Sequence, residues 1–325
     1  MSIKGIWTRW AAMALLALVA PLAPAAEAAL DRPALLALAD GYIASWTTHN
    51  AATLSFAPQV RIVENLARIK PGEGLWKTAS GTPTDYKLLA ADTVRQQVAG
   101  LLILPSEGKP VQVGFRLKLA GRSIVEAEHL VVPIRDPANP FLQKLRPGFA
   151  MAVPYEYADS HGRLLYIAKS YYDALDNNNG HLAPFASDCE RRENGMRTAP
   201  SGGPSLGGSM MPGATPRPPG LLGMLDCAAQ LDTGTFQYIA SIDNRRVDVA
   251  DTVTGVVVGF SHFHHPMTQT RFRLLNNPDR PESDMSNTKP FDLPAMHVYK
   301  IWGGQIHEIE AIGYTAPLNS PTGWE

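Results

Sequence analysis

An internal duplication is the sequence feature that most constrains how this chain folds. Residues 38–68 align without a gap onto residues 167–197, and 8 of the 31 positions are identical. The identical pairs are Ala39 and Ala168, Tyr42 and Tyr171, Asn50 and Asn179, Phe56 and Phe185, Ala57 and Ala186, Glu64 and Glu193, Asn65 and Asn194, and Arg68 and Arg197. Self-similarity of this extent predicts two divergent copies of one domain.

Two later blocks repeat in the same order. Residues 91–94 resemble residues 250–253, and the spacing K-x-x-G-x-x-I-x-E-x-E occurs at 118–128 and again at 300–310. The offset between the copies grows from 129 to 159 to 182 residues, so the second copy carries insertions. We expect a first domain at 29–150 and a second domain at 160–325.

Each copy begins with a helix and continues with strands. Apolar residues recur at helical spacing in residues 32–48 and 163–175. Runs rich in Val, Ile and aromatic residues predict strands at 94–104, 112–119, 123–132, 245–253, 256–264, 295–302 and 305–314. Helices followed by antiparallel strands are typical of the α+β class.

The N-terminal 28 residues have the pattern of a secretory signal peptide. Lys4 and Arg9 precede an apolar run at 11–20, and an A-x-A pattern follows at 26–28. An uncleaved membrane anchor is the alternative, but two prolines interrupt the apolar segment. We therefore expect a periplasmic or secreted protein.

The charge balance excludes one class of partner. The chain has 29 basic and 30 acidic residues, a net charge of −1, which gives no electrostatic reason to bind nucleic acid or an anionic membrane. A small-molecule ligand is the better expectation.

A Gly/Pro-rich insertion at 198–225 lies between the only two cysteines. Between positions 200 and 223, 13 of 24 residues are Gly or Pro, which predicts a loop. It is either a lid over a pocket or an insertion without function. In an exported protein, the pair Cys189 and Cys227 predicts a disulfide across it, whereas a catalytic thiol would need a redox or protease motif.

The order of these motifs resembles the nuclear transport factor 2-like (SnoaL-like) superfamily. The second half is most similar to an uncharacterised SnoaL-like domain of secreted fungal and bacterial proteins, through residues 185–195 (FASDCERRENG), 227–232 (CAAQLD), 265–266 and 323–324. The resemblance implies two tandem cone-shaped α+β barrels, in which a curved antiparallel sheet wraps round helices and leaves an apolar pocket. Members include isomerases, dehydratases and cyclases without cofactors, and also non-catalytic binding or dimerisation modules.

Polar residues of the predicted strand at 185–193 are the first catalytic candidates. Alternation places Arg191 and Glu193 on one face and Arg192 and Asn194 on the other. Glu193 can move a proton, and Arg192 or Asn194 can stabilise an oxyanion. The alternative is a structural role, because the same Glu-Asn pair recurs in the first copy.

Three histidines at 262–265 form the second candidate group. His262 and His264 point the same way on a strand and His265 the other, and we expect His262 or His264 in the pocket as acid or base, or else on the surface. Two imidazoles on one strand do not make a metal site, so we expect no metal. The expected substrate-binding residues are Tyr172, Asp232, Tyr238 and His297, although helix capping is an alternative for Asp232.

These features predict an exported acid–base enzyme without a cofactor. We expect an isomerase, dehydratase or lyase acting on a small, partly apolar carbonyl or polyhydroxylated compound. The alternative is a binding module that holds a hydrophobic metabolite unchanged. Only the second copy is expected to keep a polar interior, while the inert first copy serves as its partner in an intramolecular pseudo-dimer, with a homodimer as a further possibility.

Overall fold

Two tandem α+β units account for the residues that the computed structural model describes, which are 29–200 and 221–325. The predicted signal peptide and most of the Gly/Pro-rich insertion, including any lid, lie outside these residues. Among the described residues, no helix combines the length and the apolar character needed to cross a membrane.

The first unit begins with helix α1 (Arg32–Thr47), whose first turn is capped by the side chain of Asp31. Six strands and one short helix follow. They are β1 (Phe56–Glu64), β2 (Ala67–Ile69), α2 (Leu75–Thr78), β3 (Lys87–Asp92), β4 (Gln97–Ser106), β5 (Lys109–Ala120) and β6 (Ser123–Pro133).

The second unit repeats this order with additions. Its elements are α3 (His161–Asp176), β7 (Phe185–Glu193), β8 (Met196–Ala199), α4 (Leu221–Met224), α5 (Cys227–Asp232), β9 (Ser241–Asp251), β10 (Val256–His265), β11 (Arg271–Arg273), β12 (Glu282–Asp284), β13 (Phe291–Trp302) and β14 (Gln305–Gly313). The small sheet β11–β12 lies in the stretch that separates the second and third repeated blocks.

The two large sheets have the same topology. Their strand orders are β2-β1-β6-β5-β4-β3 and β8-β7-β14-β13-β10-β9, which confirms the two tandem α+β domains. The sheets are mixed rather than purely antiparallel, because β1 pairs with β6 and β7 with β14 in parallel. Strands β3 to β6 pair antiparallel with one another, and β6, the last of them, runs in the same direction as β1. In the second unit β14 likewise runs in the same direction as β7.

All seven predicted strands are present, with shifted ends. Val94 and its neighbours form the turn between β3 and β4 instead of starting a strand, and Val94 is exposed. The strand β3 was not predicted, because its sequence KLLAAD is rich in Ala and has no β-branched residue.

Both faces of each large sheet are buried. The inner faces pack against helices α1 and α3 in two separate apolar clusters. A third cluster contains outer-face residues of both sheets, among them Leu101, Ile103, Val258 and Phe260. The outer faces of the two units therefore pack against each other.

Candidate functional site

The inner face of β7 carries Arg191 and Glu193 into the second unit. Cys189, on the same face, belongs to the inner apolar cluster. The guanidinium of Arg191 lies 5.1 Å from the ring centre of Phe236. The other face of the strand carries Arg192, so the alternation read from the sequence is present and Arg191 is the inward arginine.

Arg191 and Glu193 form an ion pair at the edge of this interior. Arg191 Nε lies 3.1 Å from Glu193 Oε1 and donates to Thr198 Oγ1 at 3.0 Å, while Nη2 donates to Gln230 Oε1. Arg191 is 2% exposed, and its Nη1 has no hydrogen-bond partner among the described residues. A buried cationic donor without a partner is rare in folded proteins.

Tyrosine hydroxyls lie close to this pair. Burial raises the pKa of Tyr171; the charge of Arg191 opposes this rise and that of Glu193 adds to it. Burial, and then Glu193, also raise the pKa of Tyr238. Both phenols therefore keep their protons at neutral pH and are hydrogen-bond donors.

Neutral imidazoles complete the interior. Tyr172 Oη lies 3.3 Å from Nδ1 of His297, and burial, with the charge of Arg191, lowers the pKa of His297 to about 3. His265 stacks on Phe291 with ring centres 4.2 Å apart, and burial lowers its pKa to about 4. Three of the four expected substrate-binding residues, Tyr172, Tyr238 and His297, thus lie in the same interior.

His262 and His264 lie on the opposite face of β10 from this interior. Val257 and Phe263 of β10 belong to the inner cluster, whereas Val258 belongs to the cluster between the units. The two histidines share the outward direction of Val258, so neither faces this interior, and their role as acid or base remains a prediction. Of the three neighbouring histidines, His265 is the one that points inward.

Arg192 and Asn194 also lie away from the interior. Arg192 Nε donates to Glu190 Oε1 at 2.6 Å, and its guanidinium lies 4.3 Å from the ring centre of Phe141 in the connection between the units. The Asn194 side chain donates to Gly313 O at 2.9 Å and accepts from Gly313 N at 3.0 Å. We therefore assign Asn194 to the β7–β8 turn and not to an oxyanion site.

Asp232 is tied to the backbone at the end of α5. It accepts a hydrogen bond from Gly180 N at 2.6 Å and lies 3.7 Å from Nε2 of His181. Asp232 therefore holds the turn after α3 against α5, which is a structural contact but not the helix cap given as the alternative; its role in substrate binding remains a prediction.

The disulfide Cys189–Cys227 is present. It joins β7 to the first residue of α5. Because Arg191 lies on β7 and its partner Gln230 on α5, the disulfide holds together the two elements that position the guanidinium.

The first unit has a polar interior as well, which corrects the expectation that only the second does. Glu64 Oε2 lies 3.0 Å from Nδ1 of His129, and His129 Nε2 lies 2.8 Å from the hydroxyl of Tyr42. The rings of Trp46 and Trp76 pack against His129 at 5.2 Å and 5.6 Å. The repeated Glu and Tyr thus meet a different basic partner in each unit.

The basic partner comes from a different strand in each unit. In the repeat alignment, Ala311 replaces His129 and Ile62 replaces Arg191. The recurrence of Glu64 as Glu193 drew attention to both carboxylates in the sequence. No sequence pattern indicated that His129 of β6 would contact Glu64.

Comparisons with known proteins give little further identification. A family model for a domain of unknown function (DUF8021) matches residues 157–313, a little under half of the chain. The search of curated proteins found no match to the chain. Among solved structures, the chain is similar to wild-type IdmH of Streptomyces antibioticus, a provisionally assigned polyketide cyclase, with 14% identity and a TM-score of 0.24 over 46% of this chain and 91% of that chain. The tandem fold is established by the equal strand order of the two sheets.

Proposed function

We propose that the protein is an exported acid–base enzyme, an isomerase, dehydratase or lyase, whose reaction takes place inside the second unit. The observation that carries the proposal is the buried Arg191, which pairs with Glu193 and whose Nη1 has no hydrogen-bond partner among the residues that the structure describes. Buried polar groups that serve packing alone are nearly always hydrogen-bonded, so this donor points to a ligand.

The chemistry follows from the donor and acceptor types. The Glu193 carboxylate takes a proton from the carbon beside a carbonyl group, and the C–H electron pair forms an enolate. Arg191 Nη1 and a tyrosine hydroxyl stabilise the negative oxygen. Glu193 then returns the proton to another carbon, or the enolate expels a leaving group, such as a hydroxyl, that takes this proton and departs as a neutral molecule. None of these steps needs an organic cofactor.

Exposure and wall chemistry favour a partly apolar substrate. The Glu193 side chain is 18% exposed, so a ligand can reach it from the edge of the unit. Tyr172 and His297 are buried and uncharged side chains of the same interior. A substrate bound beside them would place an apolar body against these rings and its carbonyl group toward Arg191.

Export and an intramolecular pseudo-dimer belong to the same proposal. The disulfide is in keeping with an oxidising compartment outside the cytoplasm. The apolar cluster between the outer sheet faces favours a structural role for the first unit, as the partner against which the second unit packs. In this reading the Glu64–His129–Tyr42 chain stabilises the first unit.

Proton exchange at carbon tests the reaction directly. The purified full chain is incubated in D2O with a panel of β-keto esters, 1,3-diketones and α-hydroxy ketones, and loss of the α-proton signal is followed by NMR. Glu193→Gln should abolish enzyme-dependent exchange and leave ligand binding within a few fold. Glu190→Gln, on the outer face of the same strand, is the matched control and should keep the wild-type rate.

The same experiment separates the enzyme from the binding module. If the wild type binds panel members but accelerates no exchange, the acid–base proposal is overturned and the interior is a binding site. If Glu193→Gln exchanges as fast as Glu190→Gln, Glu193 is not the base.

A further inference from the structure

We propose a zinc site on the outer face of the second sheet, formed by His262, His264 and Asp292. It is separate from the interior that we assign to the reaction, because β10 lies between them. The sequence showed two ligands and no third. The structure supplies the third from β13.

Strand register brings the ligands together. His264 lies directly opposite Asp292 across the β10–β13 pair, and His262 is two residues before it on the same face. His264 Nδ1 lies 2.8 Å from Asp292 Oδ1, and His262 Nε2 lies 3.1 Å from Asp292 Oδ2. One ligand atom from each residue lies within 4.8 Å of the other two. Small rotations of these side chains would bring them to zinc-ligand spacing.

His262 provides an independent sign that the cluster holds a ligand. The residue is 2% exposed, yet its Nε2 makes no well-aligned hydrogen bond with any described residue, although Asp292 is near. That nitrogen lies beside the Asp292 carboxylate, and the rings of His262 and His264 stack with their centres 4.9 Å apart. A buried imidazole nitrogen aimed at a carboxylate and a second imidazole suits a metal better than a hydrogen-bond network.

Asp243 has the position of an outer partner. It lies opposite His262 across the β10–β9 pair, and its Oδ2 is 3.2 Å from Nε2 of His264. When that nitrogen donates its proton to Asp243, Nδ1 is left free to bind a metal. Metal-bound histidines usually donate their other N–H to a carboxylate in this way.

The C-terminal segment orients Asp292. Ser320 N donates to Asp292 Oδ2 at 2.9 Å, and the backbones of Asp292 and Ala316 exchange hydrogen bonds. The Asp292 side chain is fully buried, whereas those of His264 and Asp243 are 25% and 58% exposed. One side of the cluster is therefore open to water.

The donor set selects the metal class. Two imidazoles and one carboxylate bind divalent zinc, and a water molecule from the open side completes four-coordination. Ca²⁺ and Mg²⁺ prefer oxygen ligands and should bind poorly.

Zinc titration of the chelator-treated full chain tests the site. Isothermal titration calorimetry with ZnCl2 should show one site per chain, with no comparable signal for MgCl2. Asp292→Asn and His264→Gln should each weaken zinc binding by about 100-fold or more, and Asp243→Asn by about 10- to 100-fold, as expected for a lost outer partner. His181→Gln, which removes an exposed imidazole near Asp232, should bind like the wild type.

A spectroscopic measurement keeps the test independent of folding defects. Co²⁺ should give visible d–d bands of a four-coordinate site with the wild type and His181→Gln. His264→Gln changes a partly exposed side chain, so circular dichroism should show it folded while the bands are lost. Absence of a stoichiometric zinc site in the wild type, or unchanged affinity in both folded ligand variants, would overturn the proposal.

Discussion

Asp92 and Asp251 occupy equivalent positions at the ends of β3 and β9, and each carboxylate accepts a backbone hydrogen bond from the other unit. Asp92 Oδ2 accepts from Ala250 N at 3.0 Å, and Asp251 Oδ2 accepts from Ala91 N at 3.2 Å. Such an exchange is what two copies related by a two-fold axis produce. It supports the proposed pseudo-dimer.

Each of these carboxylates also binds the first residue of the other unit's long helix. Arg32 of α1 lies 2.9 Å from Asp251, and His161 of α3 lies 2.7 Å from Asp92. Both carboxylate side chains are fully buried. Removing either charge therefore leaves several donors without an acceptor.

Asp251→Asn should destabilise the whole chain. Asparagine has no negative charge for Arg32 to bind. Hydrogen bonds to charged groups contribute about 1.5–3 kcal/mol to stability. Urea unfolding should show a fall in the free energy of unfolding within that range. Asp248→Asn removes an exposed ion pair with Arg95 across the same interface and should cost less than about 1 kcal/mol. Equal effects of the two substitutions would contradict the pseudo-dimer interpretation.

Asn65→Ala and Asn194→Ala should lower stability by similar amounts. Both residues have left-handed backbones, with φ of 47° and 48°, and the side-chain amide of each exchanges two hydrogen bonds with a neighbouring strand. Alanine loses those bonds and is strained at positive φ, so we expect a loss of about 2–3 kcal/mol in each. Thermal unfolding measures it. A small loss for Asn194→Ala, combined with abolished turnover, would instead place this amide in the reaction.

Stability should fall as pH decreases from about 6.5 to about 4. The pKa values of His265 and His297 lie at about 4 and about 3 in the folded chain, below the usual value of 6.5. In this window the unfolded chain binds more protons, so stability that is fully present above pH 6.5 is lost as pH falls. The expected loss is on the order of 3 kcal/mol for each histidine.

The His297→Gln variant isolates this contribution. Urea midpoints measured between pH 4 and pH 7.5 should vary less steeply for His297→Gln than for the wild type. The exposed His181 gives the control, since His181→Gln should keep the wild-type slope. A slope unchanged in His297→Gln would show that this imidazole does not carry the pH dependence.

Reduction of Cys189–Cys227 should destabilise the second unit. The cysteines are 38 residues apart, and closing such a loop contributes roughly 3–4 kcal/mol in the chain-entropy model. A double Cys→Ser variant should unfold at lower urea concentration and, by loosening Arg191 from Gln230, should lose enzyme-dependent proton exchange. The variant should be insensitive to reductant. Retention of full exchange activity would show that the disulfide does not position Arg191.

Several features of the site could be read from the sequence because they depend on local periodicity. The repeat predicted two units of equal topology, and alternation along β7 separated Arg191 and Glu193 from Arg192. The two cysteines predicted their own pairing. These inferences use neighbours along one strand or the composition of one segment.

Only the tertiary structure decided which face of a strand is the inside. β10 is buried on both faces, one against α3 and the other against the first unit, so no polar face marked the outward direction of His262 and His264. Asp292 meets His264 from 28 residues away, across the insertion that holds β11 and β12. Pairing register over such a separation depends on packing of the whole sheet, and the strand sequences alone do not contain it.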